Sequence, residues 1–365
     1  MACLIPFAHL FQINFHQLIH DKEAIQIFKT CKTIYFRYYP LYSFKAVYSV
    51  QLFLSLIESE KSKGFIPKLV HLSAINLPAD FVISFAKGLE LNKSVTKIQL
   101  INSPLGDSGA TTLAKALQLN HTVTIMDLYA TQIGSSGAGA LAKALEVNKS
   151  ITSMYLKWNS VGISGAAALA KALEINNSIT NIDLECNKIG NSGASSLATA
   201  LKVNKSVTRI NVSGNEIGDS GAAALAKALE INRSVTIIDV SGNEIGDSGA
   251  SSLAKALEVN KSVTAIALGH NQLGDSGVSS FAKALKVNQG VTTIYFNNNE
   301  IGDFGAKALA KALEVNQSLI RINLNSNNIG DSGARALSKA LEVNKTVITI
   351  NLYHNRVPFS ARVKS

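Results

Sequence analysis

Residues 218–221 read Gly-Asp-Ser-Gly, a setting in which a serine hydroxyl acts as a nucleophile when a base stands within hydrogen-bond reach. A nucleophile of that kind is needed once in a domain. This tetrapeptide begins at Gly106, Gly218, Gly246, Gly274 and Gly330, and the variants GSSG, GISG, GNSG and GDFG open at Gly134, Gly162, Gly190 and Gly302. Because every copy is separated from the others by multiples of 28 residues, the motif belongs to an architecture and not to a reaction. The two glycines are expected to permit a tight strand-to-helix turn, with Asp219 or Ser220 capping the helix that follows. His16 and His20 have the i,i+4 spacing of a metal pair without an evident third ligand, and Cys3, Cys31 and Cys186 make neither a CxxC pair nor a disulfide framework. No catalytic residue, metal or cofactor is expected.

The elements that carry this motif follow from one period, NKSVTRINVSGNEIGDSGAAALAKALEV, counted from Asn204. Its opening asparagine recurs at Asn92, Asn120, Asn148, Asn176, Asn232, Asn260, Asn288, Asn316 and Asn344. Val207, Ile210, Val212, Asn215 and Ile217 fall at the spacing LxxLxLxxNxL, and the alternation of Ile210 with Val212 is the period of a short strand. Ala222, Leu225, Ala226 and Leu229 then lie on one helical stripe. Each period therefore reads strand, loop, helix, loop.

These residues resemble the leucine-rich repeat, and the 28-residue spacing with IGDSGAxxLAKALE looks like the ribonuclease-inhibitor class, also found in NOD-like receptors and the Ran GTPase-activating protein. The resemblance spans roughly residues 65 to 357 in eleven units, whose second strand position runs from Leu72 through Leu100, Val212 and Phe296 to Leu352. It implies an α/β solenoid, a horseshoe with a parallel sheet on the concave face and helices on the convex face. Asn159, Asn187, Asn215, Asn243, Asn271, Asn299, Asn327 and Asn355 are expected to point inward and serve the backbone of the buried turns. Ile75, Ser103 and Thr131 break that row, so the first units are expected to be less regular or covered.

Residues 1–63 hold half of the aromatic side chains and show none of the period, which suggests a separate helical module ahead of a repeat domain at 64–365. Apolar residues at helical spacing run through DKEAIQIFKTCKTIYFRYY from Asp21. With Ile5-Pro6, Glu23-Ala24-Ile25 and Thr30-Cys31-Lys32 this segment loosely resembles an F-box, which would make the chain a substrate adaptor of a ubiquitin ligase. The alternative is a cap that seals the apolar end of the first repeat. At the other end the repeat stops at Val357-Pro358, which leaves the last turn open to a partner, to PFSARVKS or to a second copy in an end-to-end contact.

The net charge of +10 is largely periodic. Lys143, Lys171, Lys227, Lys255, Lys311 and Lys339 each precede a glutamate by three residues, the pattern of an exposed helix face with i,i+3 pairs, and no basic stripe is interleaved with aromatics. Nucleic acid is not expected as a partner. No apolar run reaches the roughly 18 residues of a membrane span, and MACLIPFAHLF lacks a basic leader. Asn-x-Ser/Thr sequons at Asn92, Asn148, Asn204, Asn260 and Asn344 would crowd stacked turns with glycans. A soluble cytoplasmic protein is expected, in a host cytosol if the chain is a delivered bacterial effector.

With enzyme chemistry set aside, binding of another protein is the expected function, and the outward positions of each strand identify the surface. Asp127, Tyr129, Tyr155, Lys157 and Trp158 gather on two neighbouring strands with Asp183 and Glu185 beyond them. A second group holds His270, Tyr295, Arg321 and Tyr353. Between them Ser213, Gly214, Ser241 and Gly242 leave the face bare. Large aromatics beside charges on a rigid sheet are the composition of a protein-binding hot spot. Analogy with the Ran activator offers a GTPase regulator as a more remote reading.

Overall fold

The computed structural model describes residues 33–37, 69–74 and 76–356. The chain forms two compact units divided in sequence between Asn159 and Ser160. In the first, strands β1 (Thr33–Arg37), β2 (Leu69–Ser73), β3 (Lys97–Ile101), β4 (Ile125–Asp127) and β5 (Ser153–Tyr155) pair in parallel in chain order. Helices Ala79–Leu91, Gly106–Leu119 and Ser135–Val147 connect β2 to β5. The second unit alternates helices with strands β6 (Asn181–Asp183), β7 (Arg209–Asn211), β8 (Ile237–Asp239), β9 (Ala265–Ala267), β10 (Thr293–Tyr295), β11 (Arg321–Asn323) and β12 (Thr349–Asn351), again parallel and in order. This is the α/β leucine-rich-repeat solenoid that the period implies.

The register explains the sequence pattern. Arg209, Ile210 and Asn211 pair with Ile237, Ile238 and Asp239, one period apart, so like positions stack on like. Ile210 and Val212 are buried between the sheet and the helix Asp219–Leu229, which contributes Ala222, Leu225, Ala226 and Leu229 from its opposite side. Alanine at two of those four positions keeps the layers close, and each fully buried leucine or isoleucine adds roughly 1.5–3 kcal/mol. Where Phe281 replaces the helical leucine, Phe296 replaces its strand neighbour, and the rings meet edge-on with centroids 5.1 Å apart. The periodic lysines are exposed as expected. Among the described residues Arg335 and Asp331 form an ion pair on a helix at i,i+4, 3.5 Å apart.

Thr33–Arg37 is a strand, although it falls inside a segment whose apolar spacing predicts helix. It pairs with β2, Thr33 opposite Leu69, and so continues the parallel sheet ahead of the first repeat. Ile5-Pro6, Glu23-Ala24-Ile25, Thr30-Cys31-Lys32, His16, His20, Ile75, Val357-Pro358 and the expected boundary at residue 63 lie outside the described residues.

Two ladders of asparagine hold the turns. In the expected one, Asn215 donates its amide to the carbonyls of Leu184 and Ser213 at 2.8 and 2.9 Å, and its Oδ1 accepts the N–H groups of Asn187 and Ile189. Ser103 and Thr131, which break that row, are buried and turn their hydroxyls to the carbonyls of Ile101 and Leu128. The second ladder is built by the asparagine that opens each period. Asn204 donates to the carbonyls of Leu173 and Asn176 at 2.8 and 2.9 Å, while its Oδ1 accepts the N–H groups of Ser206 and Val207. The serine two residues on also donates its hydroxyl to that oxygen, so the recurring sequon is a structural signature of this turn, with its amide nitrogen buried.

The glycine-aspartate-serine-glycine turn works differently from the expectation. Neither Asp219 nor Ser220 caps the helix that begins at Asp219. Asp219 reaches the next turn instead, where its Oδ1 accepts the N–H groups of Gly246 and Gly249, both at 2.8 Å. Asp107, Asp247, Asp275 and Asp303 do the same one turn on, and Asn191 serves Gly218 and Gly221. The second glycine is required by this approach, since a Cβ on Gly249 would lie 2.7 Å from Asp219 Oδ1. The first glycine is extended wherever such an acceptor precedes it, as at Gly246 with φ −96° and ψ −165°. Gly106 and Gly190, preceded one turn earlier by Ala79 and Ile163, adopt φ +63° and +57° and send their N–H groups to the backbone carbonyls of Thr131 and Asn215.

Candidate functional site

Strand alternation sets which side chains reach the helix-free face of the sheet. With Ile125 and Asp127 flanking the buried Met126, and Ser153 and Tyr155 flanking Met154, the outward residues of β4 and β5 stand side by side. Asp127 pairs with Tyr155 in register. The backbone ladder continues past the strand ends, Leu128 donating to Tyr155 at 2.8 Å and Ala130 to Lys157 at 2.9 Å. Tyr129, Tyr155 and Lys157 are half-buried among their neighbours, while Trp158 is 57 % exposed. The first unit therefore brings together Asp127, Tyr129, Tyr155, Lys157 and Trp158.

Trp158 also occupies a left-handed backbone position, with φ +55°. The period imposes this conformation at the strand exit: Cys186, His270, Asn298, Ser326 and His354 share it, and so do Gly214 and Gly242. For a bulky residue the left-handed region costs roughly 1–2 kcal/mol. Strand alternation alone carries no sign of that strain.

Two residues missed by the sequence reading extend this surface. Gln99 Nε2 donates to Asp127 Oδ2 at 3.1 Å, and Gln99 Oε1 lies 3.3 Å from His71 Nδ1, so one polar chain crosses β2, β3 and β4. Both stand at the 28-residue spacing that places Asp127 and Tyr155 in one row, the signal by which they were visible.

Asp183 and Glu185 belong to the second unit. Asp183, expected on the open face, is buried, and its Oδ1 accepts the N–H of Glu185 at 3.1 Å. Glu185 Oε2 accepts from Asn211 Nδ2 at 3.4 Å. Toward the C-terminal strands, Tyr295 and Tyr353 are 40 % and 58 % exposed, and Arg321 is exposed between Thr293 and Thr349. His270 Nε2 lies 3.1 Å from Asn298 Nδ2. Ser213, Gly214, Ser241 and Gly242 leave the middle of this face without large side chains, as the sequence indicates. Among the described residues, no group of three or more His, Cys, Asp or Glu side chains is placed to hold a metal ion, and no helix is long and apolar enough to cross a membrane.

Fold and ladders together define a leucine-rich-repeat protein. Consistent with this, residues 176–198, 203–226, 232–254, 259–282, 287–310 and 315–338 each match the Leucine Rich repeat family model. No curated protein matches the chain. Among solved structures it is similar to the yeast complex of Rad7 and Elc1, at 13 % identity over 87 % of this chain and 81 % of that one, with a TM-score of 0.47. It is also similar to the leiomodin-1 actin-binding site 2, at 21 % identity over 41 % of this chain and 89 % of that one, with a TM-score of 0.35.

Proposed function

We propose that the protein is a non-enzymatic binding module of the cytoplasm that engages another protein through the helix-free face of its sheet, with Tyr129, Tyr155, Lys157 and Trp158 at the centre of the contact. The observation that carries this reading is Trp158, the chain's only tryptophan, held exposed in a backbone conformation that disfavours it. Aromatic side chains beside Asp127 and Lys157 suit a partner segment that mixes apolar anchors with charge. Affinity purification with mass spectrometry identifies that partner. The variant Tyr155→Ala with Trp158→Ala is expected to weaken its binding by about thirtyfold or more, with the fold retained. Lys255→Ala with Glu258→Ala, on exposed helix positions, is expected to leave binding intact. Normal binding by the first variant and loss by the second would move the functional surface to the helices.

A further inference from the structure

The two sides of the second unit carry opposite charge. In each period the stretch from the second glycine of the turn to the residue after the closing asparagine belongs to the helix side. These seven stretches, 165–177 through 333–345, hold fourteen Lys and Arg against five Glu. The six stretches between them, 178–192 through 318–332, form the strands and the loops into the next helix, and hold three Lys and Arg against eleven Asp and Glu. All fourteen cations of the helix side are exposed. Positive charge is therefore gathered on the helices and negative charge on the strands and loops.

Along the basic side runs one apolar row. The residue before each closing asparagine is aliphatic, from Ile175 through Val203, Ile231 and Val287 to Val343, and all seven are 54–64 % exposed. Single exposed aliphatics are ordinary on a protein surface, whereas a row repeated on every neighbouring helix is a continuous apolar feature. Successive helices pack against one another, so at about 10 Å per helix the row extends over roughly 60 Å. The asparagine that follows each member is buried and bonded to the preceding turn, as Asn204 and Asn232 are, which fixes the row at the edge. Helix C-termini carry partial negative charge, but cations cover it here. Arg233 Nη1 donates to the carbonyl of Glu230 at 3.0 Å, and Lys261 Nζ donates to those of Glu258 and Val287 at 2.8 and 2.9 Å. The edge does not oppose an anionic surface.

We propose that the helix side of the second unit docks on the surface of an anionic lipid bilayer, the aliphatic row entering the boundary between headgroups and acyl chains and the cations resting on the lipid phosphates. The four-carbon stems of Lys202 and Lys286, next to Val203 and Val287, let their ammonium groups stay at headgroup level while the valines go deeper. A nucleic acid would use the charge and leave the row in water, because the seven stretches hold no exposed aromatic ring on which a base could stack. Near-identical side chains at a constant spacing give a folded protein no register, and a fluid surface needs none. This orientation leaves the helix-free face of the same unit turned to solvent, so the proposal does not depend on the one made for Tyr155 and Trp158.

The test is flotation of the full chain with vesicles of phosphatidylcholine alone or with about 30 mol % phosphatidylserine. Binding is expected to the anionic vesicles only, and to fall at least tenfold between about 50 mM and about 500 mM salt. Lys202→Glu with Lys286→Glu should weaken it about tenfold or more. Val203→Ser with Val287→Ser keeps the charge and should also weaken it about tenfold, with an unchanged melting temperature because both side chains are more than half exposed. Glu244→Gln with Glu300→Gln, on the loop side, and Tyr155→Ala with Trp158→Ala should each leave it within about twofold. Absence of binding to the anionic vesicles overturns the proposal. So does vesicle binding that the serine pair leaves unchanged, or equally tight binding of a mixed-sequence oligonucleotide, since either would reduce the surface to unspecific charge.

Discussion

Trp158 in the first unit and Gly242 in the second stand at the same place in the repeat, with φ +55° and +64°, and they answer the same backbone demand in opposite ways. Glycine meets it without steric cost. Tryptophan meets it against a penalty of roughly 1–2 kcal/mol and presents a mostly exposed ring. The comparison separates what the period dictates from what it leaves open. The period dictates a left-handed residue at every strand exit; it does not dictate an aromatic one. A residue retained against local preference is where a selection external to the fold shows itself.

The largest expected effect breaks the comparison directly. Trp158→Gly should raise stability by about 1 kcal/mol in chemical denaturation while weakening partner binding by about thirtyfold, so that stability and binding move in opposite directions. A loss of both would make the ring a structural element. Next in size is Asn243→Leu, which removes a buried amide serving the carbonyls of Val212 and Val240 and should destabilise by roughly 1–3 kcal/mol. The partly exposed Asn297→Leu should shift stability by under about 0.5 kcal/mol. Smaller again, Asp247→Ala leaves Gly274 and Gly277 uncapped and should cost about 1 kcal/mol, most of it restored in Asp247→Asn.

The smallest effect is a pH dependence. The Ser332 hydroxyl, followed by the Gly333 and Gly330 amides and the charge of Lys307, holds the Asp303 carboxyl below its ordinary value of 3.8, with burial acting in the opposite direction. A folded-state value below the unfolded one means that the contribution is present above pH 3.8 and disappears as the pH falls through the folded value. Denaturation midpoints for Asp303→Asn should therefore lack that part of the acid decline. An unchanged decline would show that the carboxylate contributes nothing to it.

The repeat was legible because its signals are local or strictly periodic. The alternation at Ile210 and Val212, the helical stripe through Leu225 and Leu229, and the inward row that includes Asn215 all follow from side-chain spacing. The role of Asp219 was not, because its partners Gly246 and Gly249 lie 27 and 30 residues away and rules of helix capping look only at the adjacent turn. Asn204 was visible as a constant but mute as to function, since its carbonyl partners belong to the preceding turn. Asp183 was placed outward by alternation, which gives a direction and says nothing of how deeply neighbours cover it. His71 and Gln99 were passed over because charge and aromaticity drew the reading to Asp127 and Tyr155.

The forward reach of the capping aspartates also gives assembly a polarity. Asp247 prepares the start of the helix Asp275–Val287, while the cap of its own helix comes from Asp219 behind it. A polypeptide emerging from a ribosome presents these turns in the order in which each needs the one before it. Within the run from Asp219 to Asp303, a turn that has closed is a template for its successor and not for its predecessor. Damage at one aspartate should accordingly fray the helix downstream of it while the helix upstream stays shut, an asymmetry that amide hydrogen exchange can resolve turn by turn.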